Sequence, residues 1–185
     1  MIEGALCIAL AAVLSRINLF ALPQGGSVDL ELVPLFLVAW RWGAKWGCAV
    51  GALTGVVKIL LGGFILNPLQ AILDYPLAYA CVGMAGMFTN LRKGQLVGAI
   101  LAAVGQISCH ILSGAVFFAQ YAPEGESPWG YSIAYNTPVI ALKYTISTVA
   151  AYFLWRALQE ALSFGGGGGD RTPKMTPPSP ESAAS

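Results

Sequence analysis

Charge is the scarcest property of this chain. Of 185 residues only 10 are Lys or Arg and 9 are Asp or Glu, which is 10% charged, against about 25% in an average soluble domain. Hydrophobic residues make up 56% and the mean hydropathy is +0.66. A soluble domain of about 150 residues hides only about 68–70% of its unfolded surface, so this composition would leave a nearly uncharged, apolar exterior in water. Lipid is therefore the expected solvent. The net charge of +1 gives no basic face for neutralising phosphates, which excludes a nucleic-acid binder. With one histidine and four cysteines (Cys7, Cys48, Cys81, Cys109) that form no C-x-x-C pair, no metal site and no disulfide framework is expected. The run Gly165 to Gly169 is not followed by Lys-Ser/Thr, so it is no phosphate-cradling loop. Ser113 follows His110 by three residues, but no oxyanion-hole loop accompanies them. No catalytic residue and no cofactor is assigned.

What is present is a series of apolar segments broken by turn chemistry, and it predicts an all-α membrane protein of six transmembrane helices. The first segment runs from about Gly4 to Leu22 and ends at Pro23-Gln24-Gly25-Gly26-Ser27. It is read as a retained span and not as a cleaved leader, because Glu3 stands where a leader has its positive charge. The second covers Leu30 to Trp42 and breaks at Gly43; the third covers Ala44 to Leu61. The fourth runs from Pro68 to Phe88, with Asn67 as its N-cap and Pro68 in its first turn. The fifth spans Gln95 to Tyr121 and the sixth Pro128 to about Leu158. Residues 1–162 thus form the membrane domain, and 163–185, rich in Gly, Pro and Ser, a disordered tail.

Orientation follows from the basic residues. Arg41 and Lys45 lie between the second and third spans, Arg92 and Lys93 between the fourth and fifth, and Arg156, Arg171 and Lys174 at the end. The alternate connections have none and carry Asp29, Glu31, Glu124 and Glu126. Both termini are expected in the cytoplasm, with the acidic loops outside.

Ionisable groups inside apolar spans cost about 2.5–3.5 kcal/mol each on insertion scales, so each marks a candidate site. Here they are Arg16, Lys58, Asp74, His110 and Lys143. At 1.5 Å per residue, Asp74 lies about 10 Å, His110 about 16 Å and Asn136 about 12 Å below the outer helix ends. Three helices thus place polar groups in the outer half of the membrane, with Tyr75, Phe118 and Tyr131 nearby. A carboxylate, aromatic faces and an amide suit a small organic solute with nitrogen heterocycles. The competing reading pairs Asp74 with Lys58, bonds His110 to a backbone carbonyl and puts the tyrosines in an interfacial belt. Arg16 and Lys143 read as interhelical pairing groups. In the first span Ala5, Ala9 and Ala12, with Cys7, Ala11 and Ser15 alongside, form small-x-x-x-small spacings that suit either a partner helix or an internal seam.

The stretch His110-Ile111-Leu112-Ser113-Gly114-Ala115-Val116-Phe117-Phe118, followed by Tyr121-Ala122-Pro123-Glu124-Gly125, Ser127-Pro128, Tyr131-Ser132 and Asn136, resembles the thiamine-specific substrate-binding (S) components of energy-coupling factor (ECF) transporters. Asp74-Tyr75, the Pro23-to-Ser27 loop and Leu32-Val33-Pro34 extend the resemblance over about residues 4–160. It implies a six-helix membrane cylinder with an outward pocket for thiamine, closed by the loop after the first helix. It also implies the ligand positions Asp74, Tyr75, His110, Phe118, Tyr131 and Asn136. Asp74 stands where the family usually has Glu, and Phe118 where it typically has Trp, which leaves room for a thiamine precursor or analogue. The implied partners are a membrane coupling subunit and two ATPases, docked on the Ala5–Ala9–Ala12 face. Against this stand the same architecture serving another vitamin, and a membrane scaffold without a ligand.

Overall fold

A computed structural model describes residues 2–21, 26–91 and 93–164. The predicted Pro23-to-Ser27 loop is described only at Gly26 and Ser27, and Arg92 and the tail from residue 165 lie outside the described residues. Among the described residues the regular structure is helical apart from one two-stranded ribbon. In order come α1 (Ile2–Leu14), β1 (Phe20–Ala21), β2 (Ser27–Val28), α2 (Leu32–Leu60), α3 (Pro68–Ile72), a π-helical turn (Leu73–Leu77), α4 (Ala78–Val82), a 3₁₀ turn (Gly83–Gly86), α5 (Gly94–Phe117), a second 3₁₀ turn (Ala119–Tyr121) and α6 (Pro128–Phe164). Three helices, α2, α5 and α6, are long and apolar enough to cross a membrane.

The first predicted span is shorter than its apolar run. α1 stops at Leu14, where Ser15 turns its hydroxyl back to Ala12 O at 2.8 Å and the next amides form tighter bonds, Arg16 N to Val13 O and Ile17 N to Leu14 O. A side-chain oxygen that bonds the preceding turn competes with the helical ladder. The apolar residues beyond feed β1, where Phe20 pairs with Val28.

α2 bends where the break between the second and third spans is expected. Gly43 has φ 79° and ψ 175°, a backbone conformation open to glycine and strained for any L side chain. The fourth predicted span is a relay of helical types. Asn67 caps it as expected, its Oδ1 accepting from Leu69 N at 2.8 Å, with Pro68 in the first turn. The π turn follows at Pro76, which has no N–H to give and whose ring crowds the preceding carbonyl, so the regular ladder cannot pass through it.

One stripe of α2 holds the bundle together. A β-carbon on Gly51 would fall 2.1 Å from Tyr79 O, and one on Gly55 2.5 Å from the Tyr75 carbonyl. Gly47, Gly51 and Gly55 therefore let α2 lie backbone to backbone against residues 75–83, the small-residue approach that replaces the hydrophobic effect between helices in lipid. A core of Phe36, Trp40, Tyr79, Ile140 and Tyr144 fills the space between α2, α4 and α6, with Phe36 stacked on Trp40 at 5.6 Å. Large apolar side chains such as Leu6, Leu53, Ile100 and Phe153 face outward.

Glu3 at the start of α1 takes a hydrogen bond from Trp42 Nε1 at 2.9 Å and an ion pair from Arg41 at 3.2 Å. Gly86 packs on Ala39 and Gly43. The N-terminus, the α2 bend and the end of the Pro68–Gly86 relay thus gather at one end of the bundle. One expectation is corrected: Asp29 and Glu31, read as acids of an external loop, do not face solvent. Both are fully buried, because Lys143 pairs with both and Lys58 pairs with Glu31. Lys143, read as an interhelical pairing group, ties α6 to the connection between β2 and α2 and to the residue that precedes α2. Arg16 bonds Leu61 O at 2.8 Å instead of an acid.

Candidate ligand-binding site

The π turn at Pro76 sets the direction of Asp74 and Tyr75, which the third-helix relay presents to α5. Asp74 Oδ2 accepts from Gln70 Nε2 at 2.7 Å and from Ser113 Oγ at 2.8 Å, and Oδ1 lies 3.0 Å from His110 Nδ1. A carboxylate offers about four acceptor sites, so three donors leave Oδ1 with room for one more. Lys58 is committed elsewhere, 2.6 Å from Glu31 Oε2, and among the described residues His110 bonds the Asp74 side chain and no backbone carbonyl. The pairing of Asp74 with Lys58 is therefore not the one that forms. Ser113 donates to Asp74 and not to His110, so the two do not make a nucleophile and its base.

A cavity of about 260 Å³ opens beside this cluster, just below the ~300 Å³ at which pockets for drug-sized molecules begin. All six candidate residues line it: Asp74, Tyr75, His110, Phe118, Tyr131 and Asn136. Tyr75 donates to Phe64 O at 3.3 Å. Phe118 caps α5, and its ring stands 6.1 Å from Phe64 and 6.0 Å from Tyr121. Tyr131 faces Tyr135 at 5.7 Å. Asn136 Nδ2 bonds Ser132 O at 2.9 Å, and Ser132 Oγ reaches across to Ile111 O at 2.9 Å. That crossing exists because α5 and α6 approach at Gly114, where a β-carbon would strike Ser132 Oγ at 2.2 Å. Gly26, Ser27, Phe64 and Tyr121 bring connecting segments to the rim.

Sequence reasoning did not assign Gln70, Ser113, Phe64 and Tyr121 to this site. Gln70 precedes Asp74 by four residues, one helical turn, and that spacing was the available signal. It also takes Leu66 N on its Oε1 at 2.9 Å, so it ties the Phe64–Leu66 segment to the carboxylate. Lys58 and Lys143 line the cavity too, each held by acids behind it.

Residues 1–163 match the model of the family described as Thiamine transporter protein (Thia_YuaJ). The chain belongs to this family. It is 36% identical over 171 residues to the thiamine transporter ThiT of Bacillus subtilis (strain 168), covering 84% of this chain and 89% of that one. To the ThiT of Lacticaseibacillus paracasei it is 29% identical over 153 residues, 74% of this chain and 76% of that one. Among solved structures it resembles ThiT from Listeria monocytogenes with a TM-score of 0.78 at 25% identity, over 86% of this chain and 94% of that one. A structure titled for the S component of a bacterial ECF transporter shares the fold, with a TM-score of 0.64 at 21% identity over 87% and 95%. Members of this family are transporters and not enzymes, and with its three long apolar helices the chain is a membrane protein.

Proposed function

We propose that the protein captures thiamine outside the cell and hands it inward as the S component of an ECF transporter, with no ATPase of its own. The observation that carries this reading is Asp74. It is a carboxylate on a cavity wall whose hydrogen-bond partners are Gln70, Ser113 and His110, with no lysine or arginine among them. Thiamine joins a cationic thiazolium to an aminopyrimidine, and a charge-assisted contact to Asp74 serves either part. Phe118 and His110 pack on its rings, Tyr75 closes one side, and Tyr131 and Asn136 bond its polar edge.

The proposed topology keeps six spans, α2 counting as two at Gly43, with both termini in the cytoplasm and the cavity in the outer half of a prokaryotic cell membrane. Supporting it, Glu3 and Arg41 sit together at one end, whereas the cavity rim is built from the connections at Ser27, Phe64 and Tyr121. Residues 1–162 make the membrane domain and 163–185 a cytoplasmic tail. The coupling module, a membrane subunit with two ATPases, docks on α1. There Ala5 and Ala9 are exposed and Ala12 half-buried, while Ala11 is buried in the bundle core and Gly4 packs on Val50.

Calorimetric titration of the purified protein with thiamine tests the reading, since none of the residues lining the cavity is a tryptophan that would report binding by fluorescence. Saturable binding at or below micromolar ligand is expected. Heat with the pyrimidine half and none with thiamine would move the assignment to a precursor, and no heat with either would leave the scaffold reading.

A further inference from the structure

Two lysines in the wall of a pocket for a cation pose an electrostatic problem, and the structure contains its solution. Lys58 and Lys143 both line the cavity, with 21% and 9% of their side chains exposed, whereas the acids that hold them, Glu31 and Asp29, are 0% exposed and lie behind. Lys143 Nζ is 3.1 Å from Asp29 and also bonds Glu31, and Lys58 Nζ is 2.6 Å from Glu31. Tyr79 donates to Glu31 as well, and Asp29 takes Ser27 Oγ at 2.7 Å and the Glu31 amide at 3.0 Å. The quartet is closed and neutral. Among the described residues, the lysines, arginines and carboxylates that line the cavity are Lys58, Lys143 and Asp74. Alone they would repel a cation; with Asp29 and Glu31 behind them, Asp74 is left as the net charge.

We infer that Asp29 and Glu31 are charge-compensating residues of the pocket, which set its selectivity for a monocation without touching the ligand. The inference rests on the thiamine reading. It is tested by comparing two probes on the same protein: thiamine, and its neutral isostere in which a thiophene replaces the thiazolium. The readout is the ratio of their affinities, which a general loss of packing does not move. Glu31→Gln removes one negative charge and should lower the preference for thiamine, whereas Lys58→Met removes one positive charge and should raise it. A unit charge about 10 Å away at an effective dielectric near 20 changes the affinity for a monocation roughly tenfold. Shifts of that order in opposite directions are expected. A ratio that stays within about twofold of the unaltered protein's in both variants would overturn the inference and leave the quartet a packing device. If Glu31→Gln does not fold, the direction of the Lys58→Met shift decides alone. Absence of thiamine binding by the unaltered protein would remove the thiamine reading and this inference with it, whereas intact binding with an unmoved ratio removes only the compensation.

Discussion

His110 Nδ1 and Asp74 Oδ1 stand 3.0 Å apart across the contact between α5 and the π turn, although 36 residues separate them in the chain. Because a carboxylate only accepts, the ring nitrogen that faces it carries the proton, and in the neutral imidazole Nε2 is then the acceptor. The pair thus offers the cavity a negative charge with one open acceptor site and, beside it, an aromatic ring of fixed tautomer. Ser113 and Gln70 complete the cradle from α5 and α3. What binds here meets an anion that is already oriented, which lowers the cost of ordering it on binding.

Replacing Asp74 by Asn keeps the shape and removes the charge. If the carboxylate holds the cationic or amino part of thiamine, affinity should fall by about 1.5–3 kcal/mol, roughly ten- to a hundredfold. Calorimetry reads the loss, and the unfolding midpoint without ligand shows whether the fold has survived. Affinity within twofold of the unaltered protein's would take Asp74 out of the site.

Pro76→Ala separates the role of the π turn from that of the residues it carries. Alanine restores the missing N–H and removes the clash, so the ladder can tighten toward a regular α-helix, which is locally the more stable form. Tightening rotates Asp74 and Tyr75 relative to His110. The expected outcome is an unfolding midpoint equal to or above that of the unaltered protein, together with weaker thiamine binding. Unchanged affinity would mean that packing against Gly55, and not the proline, sets the turn.

The backbone contact between α2 and α4 makes Gly51 the least replaceable position on its stripe. A side chain there must push Tyr79 O away from a point 2.1 Å off, which opens a seam that no side chain fills. Gly51→Val should destabilise by several kcal/mol through overpacking. Leu53→Val, two residues on and outward-facing at 55% exposed, should stay within about 0.5 kcal/mol. Thermal unfolding in the same detergent compares the two, and equal midpoints would mean that the helices have room to part.

Much of this was readable in the sequence, for identifiable reasons. A glycine between two apolar runs marks a bend at Gly43 because few other residues tolerate φ 79°. Asn67-Pro68 announces a helix start through capping chemistry alone. Asp74, His110 and Asn136 stood out because polar and ionisable groups are rare in membrane-spanning helices, whereas Tyr75, Phe118 and Tyr131 were aromatics near them that the family resemblance added to the set. The misses share a different cause. Asp29 and Glu31 look like loop acids until Lys143, 114 and 112 residues away, is folded against them, and no local pattern reports that. The early end of α1 depends on Phe20 finding Val28, which hydropathy does not see. Gly47, Gly51 and Gly55 repeat at the four-residue spacing that drew notice to the α1 alanines, so that stripe was legible and went unassigned.

The α1 face gives the last prediction. Ala5 and Ala9 are one turn apart and exposed, while the buried side of α1 is made by Ala11, with Cys7 and Ile8 packed against the core. A bulky residue at position 9 therefore meets lipid or a partner and not the bundle. Ala9→Trp should leave the affinity for thiamine and the unfolding midpoint unchanged, because the cavity residues lie on other helices. In cells holding the coupling module, however, thiamine uptake should be abolished, because a small-residue face brings two helices close only while it stays small. Uptake at the unaltered rate would place the module elsewhere. Loss of ligand binding together with uptake would show that this face is an internal seam.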